Sequence, residues 1–345
     1  SDACAVWTRR DIPRKVVAVK TALVLGSTGC IGNNIVRACL DSGWSVRAFR
    51  RPSSETWMLQ GLDVESVVGT LEDLASLKEG MRGCDFVFHA AAYYALHSLD
   101  MSGSLRVAVE QMRRVLQAAR ESDVSRLVYT SSVTTIGHPG ERGRLADERD
   151  FYVPGSTHSA YYESKWAMEA EARCAAAEGL PVIILNPTTV FGPWDVKPMT
   201  GQILVMAAKG QVPFWLDREQ NVVDARDVGI GHVLAAERGQ IGERYILGRE
   251  TATIRELLTT IADEAGRDPP KWKAPLAAVS ALVKVAELMG HLPLVEPLPL
   301  EHFKTLRQWQ ALNVGKAQDK LGFNPRPLAD TVRDTLAWFR EYGYL

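Results

Sequence analysis

At 345 residues, with 46% hydrophobic and 23% charged residues, the chain has the composition of an ordinary soluble globular protein and can bury a large core. Forty basic residues against 41 acidic ones leave a net charge of −1, which excludes a global electrostatic bias toward nucleic acid or acidic partners. Five cysteines (Cys4, Cys30, Cys39, Cys84, Cys174), odd in number and without a CxxC pair, argue against a disulfide scaffold or a metal site and for a reducing, cytoplasmic setting.

Residues 1–20 carry Arg9, Arg10, Arg14, Lys15 and Lys20 without an apolar core or a small-residue cleavage site. They read as a poorly ordered tail, with neither a signal peptide nor a membrane span expected. Thr21-Ala-Leu-Val-Leu25 predicts a buried parallel strand. Gly26-Ser27-Thr28-Gly29-Cys30-Ile31-Gly32 follows, and a helix is expected over about 31–41. Glycines here allow a tight turn and a close approach of the backbone to a pyrophosphate on the helix N-terminus. The spacing is GxxGxxG with no Lys-Ser/Thr behind it, which argues against a P-loop. The plain alternative is a strand-to-helix connection without a ligand.

A second strand over 45–49 ends in Arg50-Arg51-Pro52. No acid stands at this tip to take a ribose 2′-hydroxyl, and arginine suits a 2′-phosphate, so NADP is preferred and NAD is the alternative. Two solvated arginines would look the same. Third and fourth strands are expected over 64–68 and 85–89. Ala90-Ala91-Ala92 then offers small residues where a cofactor could approach, and His89 reads as structural. A helix over about 103–122 precedes a fifth strand, 126–130. The alternation predicts an α/β fold with a doubly wound parallel sheet.

Ser131 and Ser132 end that strand on the carboxyl edge, where open α/β sheets bind ligands. A Gly-, Pro- and charge-rich loop, 137–157, leads to an Ala-rich helix over about 158–178. On it Tyr161 and Lys165 sit one turn apart on one face. A phenol beside an ammonium has its oxyanion favoured, which makes a proton-transfer centre. The Ser132 hydroxyl is placed to hold the reacting oxygen. Ser131 reads as a structural hydroxyl, and Tyr162 as a packing or substrate-side aromatic. A sixth strand, 181–185, ends at Asn186-Pro187. Past Phe191-Gly-Pro193 the alternation breaks down. The expected division is a dinucleotide-binding domain over 20–192 plus 220–250, with 221–247 returning to the sheet. A smaller, mainly helical substrate domain would take 193–219 plus 251–345.

Gly26-x-x-Gly29-x-x-Gly32, the Ser132 strand end, Tyr161-x-x-x-Lys165 and Asn186-Pro187, in this order, resemble an extended short-chain dehydrogenase/reductase. Within that superfamily the chain is similar to the hopanoid-associated sugar-epimerase-like group, the dihydroflavonol reductases and the 3β-hydroxysteroid dehydrogenases. Phe88-His-Ala-Ala-Ala-Tyr93, Val128-Tyr-Thr-Ser-Ser-Val133 and Gly242-Glu-Arg-Tyr-Ile-Leu-Gly248 carry that likeness. Two places depart from the pattern. Gly69-Thr70-Leu71 stands where Gly-Asp-Leu is usual, and Ala108-Val-Glu-Gln111-Met112 where Asn-x-x-Gly-Thr is usual.

The resemblance implies Tyr161 as general acid/base, Lys165 as its charged neighbour and ribose anchor, and Ser132 as the clamp on the substrate oxygen. It implies cofactor contacts from residues 26–32, Arg50, Arg51, Thr70, Leu71, Ala90, Ala91, Ala92, Asn186, Pro187 and Val190. Tyr93, Tyr94, His97, Thr134, Trp194 and Met199 are expected on the substrate side of the cleft.

Leu276, Val279, Leu282, Val283, Ala286 and Leu288 fall at helical intervals before an apolar 292–300 loop. They read either as a buried stripe or as a lid over a lipophilic, sterol- or triterpenoid-like alcohol at a membrane surface. A sugar-nucleotide epimerase or dehydratase would instead need cations for a diphosphate; Arg218, Arg226, Lys304 and Arg307 are the candidates. A third alternative is a non-catalytic NADP-binding regulator. A homodimer through the helices before Ser132 and around Tyr161 is also expected, with Arg106, Arg113, Arg114, Glu169 and Glu171 alternatively a solvated surface.

Overall fold

The computed structural model describes residues 19–91, 100–157, 159–198, 200–279, 281 and 308–345. In chain order the strands are β1 (Thr21–Leu25), β2 (Ser45–Arg50), β3 (Val64–Val68), β4 (Phe86–His89), β5 (Arg126–Thr130), β6 (Val182–Pro187), β7 (Thr189–Phe191), β8 (Phe214–Leu216), β9 (Glu219–Asp224), β10 (Arg244–Leu247), β11 (Glu250–Thr253) and β12 (Trp272–Ala274). The helices are α1 (Cys30–Asp41), α2 (Leu74–Met81), α3 (Met101–Glu121), α4 (Ala160–Ala177), α5 (Gln202–Ala208), α6 (Ala225–Arg238), α7 (Ile254–Ala265), α8 (Gly315–Leu321) and α9 (Leu328–Glu341).

Seven strands form one parallel sheet in the order β10-β6-β5-β4-β1-β2-β3. Because strand side chains alternate, β1 feeds two cores. Ala22 and Val24 pack with Ile35, Val36 and Val228 of α1 and α6, while Leu23 and Leu25 pack with Leu77, Met112 and Met168 of α2, α3 and α4. Helices on both faces make the doubly wound arrangement expected from the sequence. The chain order reverses between β1 and β4, so a crevice opens at their carboxyl ends.

The C-terminal part departs from expectation in one respect. Of the stretch 221–247, only β10 joins the main sheet, beside β6. Strand β9 pairs instead with β7 and β11 in a separate three-stranded sheet, and β8 pairs with β12. Around them α5, α7 and α9 enclose a third core of Phe191, Leu204, Leu257, Leu258, Ile261, Leu336 and Phe339. Leu276 and Val279 pack near Phe214, Leu216 and Trp309. Ala92, Tyr93, Tyr94, Leu96, His97, Met199, Leu282, Val283, Ala286, Leu288, the 292–300 loop, Lys304 and Arg307 lie outside the described residues. Among the described residues no helix is long and apolar enough to cross a membrane.

Candidate active site

The first lip of the crevice is the turn from β1 into α1. Gly26 takes φ +85°, and a Cβ there would stand 2.7 Å from the Ala91 nitrogen. A Cβ on Gly32 would overlap the Gly26 carbonyl oxygen. These two glycines therefore serve the fold of the turn itself. Ser27 also faces inward, its hydroxyl donating to the Phe49 carbonyl at 3.0 Å.

Gly29 is different. It is the exposed N-cap of α1, without a side-chain cap, and the nearest atom to a Cβ there would be the Gly26 oxygen at 3.5 Å. Bare backbone at a helix N-terminus is a cradle for phosphate, so these residues fit a dinucleotide pyrophosphate. At the tip of β2, Arg50 donates through Nε to Ser66 Oγ at 3.0 Å, and Arg51 is exposed. Leu71 and Ala91 pack against the α2–α4 core, while Ile31, Ala90 and Val190 pack against the α1–α6 core.

The second lip joins the ends of β5 and β6 to the start of α4. Ser159 caps that helix and accepts from the Tyr162 backbone N–H. The Tyr161 hydroxyl donates to Ser132 Oγ at 3.5 Å, a long bond of the kind that tightens on substrate binding. Lys165 Nζ, almost fully buried, donates to the carbonyls of Thr130 and Ser131 at 3.3 and 3.4 Å. Burial brings the Lys165 ammonium down to about 8, opposed by the negative charge of Glu169. Neighbouring His89, fully buried, is held near 3 by burial and by Lys165, so it stays neutral. The structure thus brings Ser132, Tyr161 and Lys165 together.

Beneath them lies a polar network that sequence reasoning missed. Glu169, expected on a dimer face or a solvated surface, is only 3% exposed; it sits two turns past Tyr161 on the same helix, turned into the sheet. Its carboxylate accepts from Ser131 Oγ at 2.5 Å, Thr135 Oγ1 at 2.6 Å and Asn186 Nδ2 at 2.8 Å, and pairs with Arg244 Nε at 2.8 Å. Asn186, implied as a cofactor contact, is fully buried and donates to the Ser132 carbonyl at 3.1 Å. The i, i+4, i+8 spacing of Tyr161, Lys165 and Glu169 was the available signal. By contrast Arg113 and Glu171 form an exposed ion pair between α3 and α4 of the same chain.

A cavity of about 140 Å³ opens on Ser132, Thr134, Tyr161 and Tyr162. Its other described walls are Val133, Ile136, Ser159, Thr188, Thr189, Thr200, Glu219, Gln220, Asn221, Gln308, Trp309, Gln310 and Leu312. The hydroxyls of Thr134 and Thr188 are buried without a hydrogen-bond partner. Glu219 is the one carboxylic side chain among these described walls, and none of them is Lys, Arg or His. Arg226, a candidate for a diphosphate, is instead paired with Asp224 and Asp334 at 2.7 and 2.9 Å. Trp194, expected in the cleft, lies elsewhere: its ring sits 3.6 Å from the Arg37 guanidinium carbon and beside Trp57 and Trp338. No cluster of metal-ligating side chains occurs among the described residues.

Residues 22–248 match the pattern of the NAD dependent epimerase/dehydratase family. A protein of Synechocystis sp., provisionally named a dihydroflavonol 4-reductase, is 36% identical over 328 residues, covering 93% of this chain and 95% of that one. Sterol demethylase protein B of Methylococcus capsulatus is 30% identical over 332 residues, covering 94% of this chain and all of that one, 100%. Among solved structures, a nucleoside-diphosphate-sugar epimerase from Pseudomonas aeruginosa superposes with a TM-score of 0.81 at 31% identity, covering 95% and 99% of the two chains.

Proposed function

The chain belongs to the NAD dependent epimerase/dehydratase family as a nicotinamide-dependent oxidoreductase, and we propose that it interconverts a secondary alcohol and a ketone on a neutral, lipophilic, polycyclic substrate. The carrying observation is that Ser132 and Tyr161 meet on one cavity wall with Lys165 fixed behind them. When bound, the nicotinamide supplies or accepts hydride. The backbone N–H groups that follow Gly29 at the start of α1 would hold its pyrophosphate, Lys165 its ribose, and Arg51, with Arg50, a 2′-phosphate, making NADP the preferred form.

In the oxidising direction Tyr161 takes the carbinol proton, and in the reducing direction it returns that proton to the ketone oxygen. Ser132 donates a hydrogen bond to the same oxygen and so orients the reacting carbon. Lys165, anchored by two backbone carbonyls, keeps a positive charge beside the phenol without itself entering the cavity. Proton transfer from a positioned group of this kind is worth roughly 10²–10⁴-fold.

The substrate class is supported by two things. The end-to-end relative in Methylococcus carries a sterol demethylase name. The described cavity walls also offer a carboxylate, Glu219, and no cation, an unfavourable surface for a diphosphate. A second reading has its own support. Trp309 among Gln220, Asn221, Gln308 and Gln310 is a wall suited to a sugar ring, and the Pseudomonas structure carries an epimerase name.

Incubation with NADP⁺ and a 3β-hydroxysteroid distinguishes the two. Net growth of the reduced-nicotinamide absorbance is expected, with Tyr161→Phe reducing it by about 10²-fold or more while NADPH affinity persists. Wild-type turnover in Tyr161→Phe would overturn the assignment. Interconversion of UDP-sugars without net nicotinamide reduction would establish the second reading.

A further inference from the structure

We propose that Glu169, together with Arg244, is a positioning residue for proton transfer: it fixes Ser132 against the helix face that carries Tyr161 and Lys165. The proposal rests on the Tyr161–Lys165–Ser132 reading above. One carboxylate collects three distant segments. Its Oε2 receives Ser131 and Thr135 from the end of β5 and Asn186 from the end of β6, and its Oε1 faces Arg244 of β10. Asn186 Nδ2 donates its second proton to the Ser132 carbonyl at 3.1 Å, and Thr135 Oγ1, whose single proton is shared between the two acceptors, also lies 2.9 Å from that carbonyl. Glu169 is therefore one side chain removed from the Ser132 backbone on two sides.

Arg244, 4% exposed, completes the brace. Its guanidinium donates to the Thr135 carbonyl at 3.0 Å and to the Glu148 carbonyl at 3.1 Å, and it lies 4.4 Å from the Phe151 ring. The 137–157 loop is thereby tied to the same carboxylate. A buried ion pair is a weak source of stability, since an apolar pair of like volume does as well or better. What the charges add here is geometry, and a second effect on Lys165. The other ionisable groups beside that ammonium are His89 of β4 and Tyr129 of β5, with Tyr161 one turn away on α4. Burial keeps His89 uncharged, and it raises the Tyr129 phenol, so that one stays neutral too. Glu169 is the charge that opposes desolvation of Lys165. Without it the ammonium is lost at lower pH, and the alkaline limb of turnover moves down.

The test compares wild type with Glu169→Gln and with the double variant Glu169→Gln/Arg244→Met. The single change strands a buried guanidinium and endangers folding, whereas the double change removes both charges. The probes are NADP⁺ with a 3β-hydroxysteroid for turnover, and pH-dependent amine labelling of Lys165 read by mass spectrometry. The double variant is expected to fold and to bind NADPH as wild type does. Its kcat is expected to fall about 10²-fold with little change in KM, as a small misplacement of reacting groups can produce. Its alkaline limb and its Lys165 labelling midpoint are expected to drop by roughly one unit. Wild-type kcat and pH profile in the double variant would reduce Glu169 to a structural residue and overturn the proposal. If wild type itself turns over no steroid, the substrate reading fails separately. The labelling midpoint then decides alone: a drop supports the Glu169 role and an unchanged midpoint refutes it.

Discussion

The two lips of the crevice are built on opposite principles. The β1–α1 turn works by the absence of side chains, with Gly26 and Gly32 packed so closely that no Cβ fits. The β5–β6–α4 lip works by a concentration of polar side chains, several of them buried, around Ser132. Steric fit between backbone atoms is indifferent to pH. A charge network is assembled from distant segments and answers to protonation. The same cleft therefore has one edge that fails by bulk and another that fails by charge.

The largest expected effect breaks the first edge. Gly32→Ala drives a methyl into the Gly26 carbonyl and toward the Ser27 nitrogen, backbone atoms that have little room to move. Destabilisation by ~3 kcal/mol or more is expected, at the upper end of overpacking. Urea unfolding checks this, and a change below 1 kcal/mol, roughly the everyday mutational level, would mean the turn is softer than its geometry implies.

Acid breaks the second edge. His232 accepts from, or donates to, Thr130 Oγ1 at 2.7 Å and contacts the Val228 carbonyl at 2.7 Å through Nδ1, so Nδ1 carries the proton and Nε2 accepts. Burial lowers His232 to about 4 and His89 to about 3, both from an ordinary value of 6.5. Depressed values mean stability is intact above about 6.5 and is lost as pH falls toward 4 and 3. At pH 5 each histidine removes about 2 kcal/mol. Asp195, raised by burial to about 6, works in the opposite sense and offsets part of the loss. Since the His89 ring nitrogens have no hydrogen-bond partner, His89→Leu should keep full stability at pH 7 and weaken the pH 7-to-5 loss by about 2 kcal/mol. An unchanged pH dependence in that variant would remove His89 from the account.

The same contrast explains what the sequence disclosed. The parallel sheet, the glycine turn and the Tyr161–Lys165 spacing are local patterns, readable as apolar runs, punctuation and helical period. Glu169 was not readable as a buried brace, because its burial depends on Arg244 and Asn186, which come together only in the folded sheet. In the sequence it looks like Glu171, which is paired at the surface. The sheet that β9 joins is hidden in the sequence for a related reason. Val222 and Val223 suit any half-buried strand, and only the non-local partners β7 and β11 decide which sheet it joins. Chain proximity to β6 points Trp194 at the cleft, yet Arg37, Trp57 and Trp338 draw its ring into an aromatic cluster instead.

The smallest expected effect sharpens the contrast within the glycine turn itself. Gly29 has φ −86°, so alanine meets no backbone strain there, and its Cβ would make only ordinary contact. Folding stability should change by no more than about 0.5 kcal/mol, the usual scale for a surface position. If Gly29 is bare in order to admit a pyrophosphate to the start of α1, the methyl should instead weaken NADPH binding by roughly tenfold, about 1.4 kcal/mol. Fluorescence titration with NADPH, run beside urea unfolding, separates the two quantities. Gly32→Ala loses the fold, whereas Gly29→Ala loses only the ligand, and that division assigns one glycine to the protein and the other to its cofactor. Equal NADPH affinity in Gly29→Ala and wild type would return Gly29 to the plain role of a helix cap.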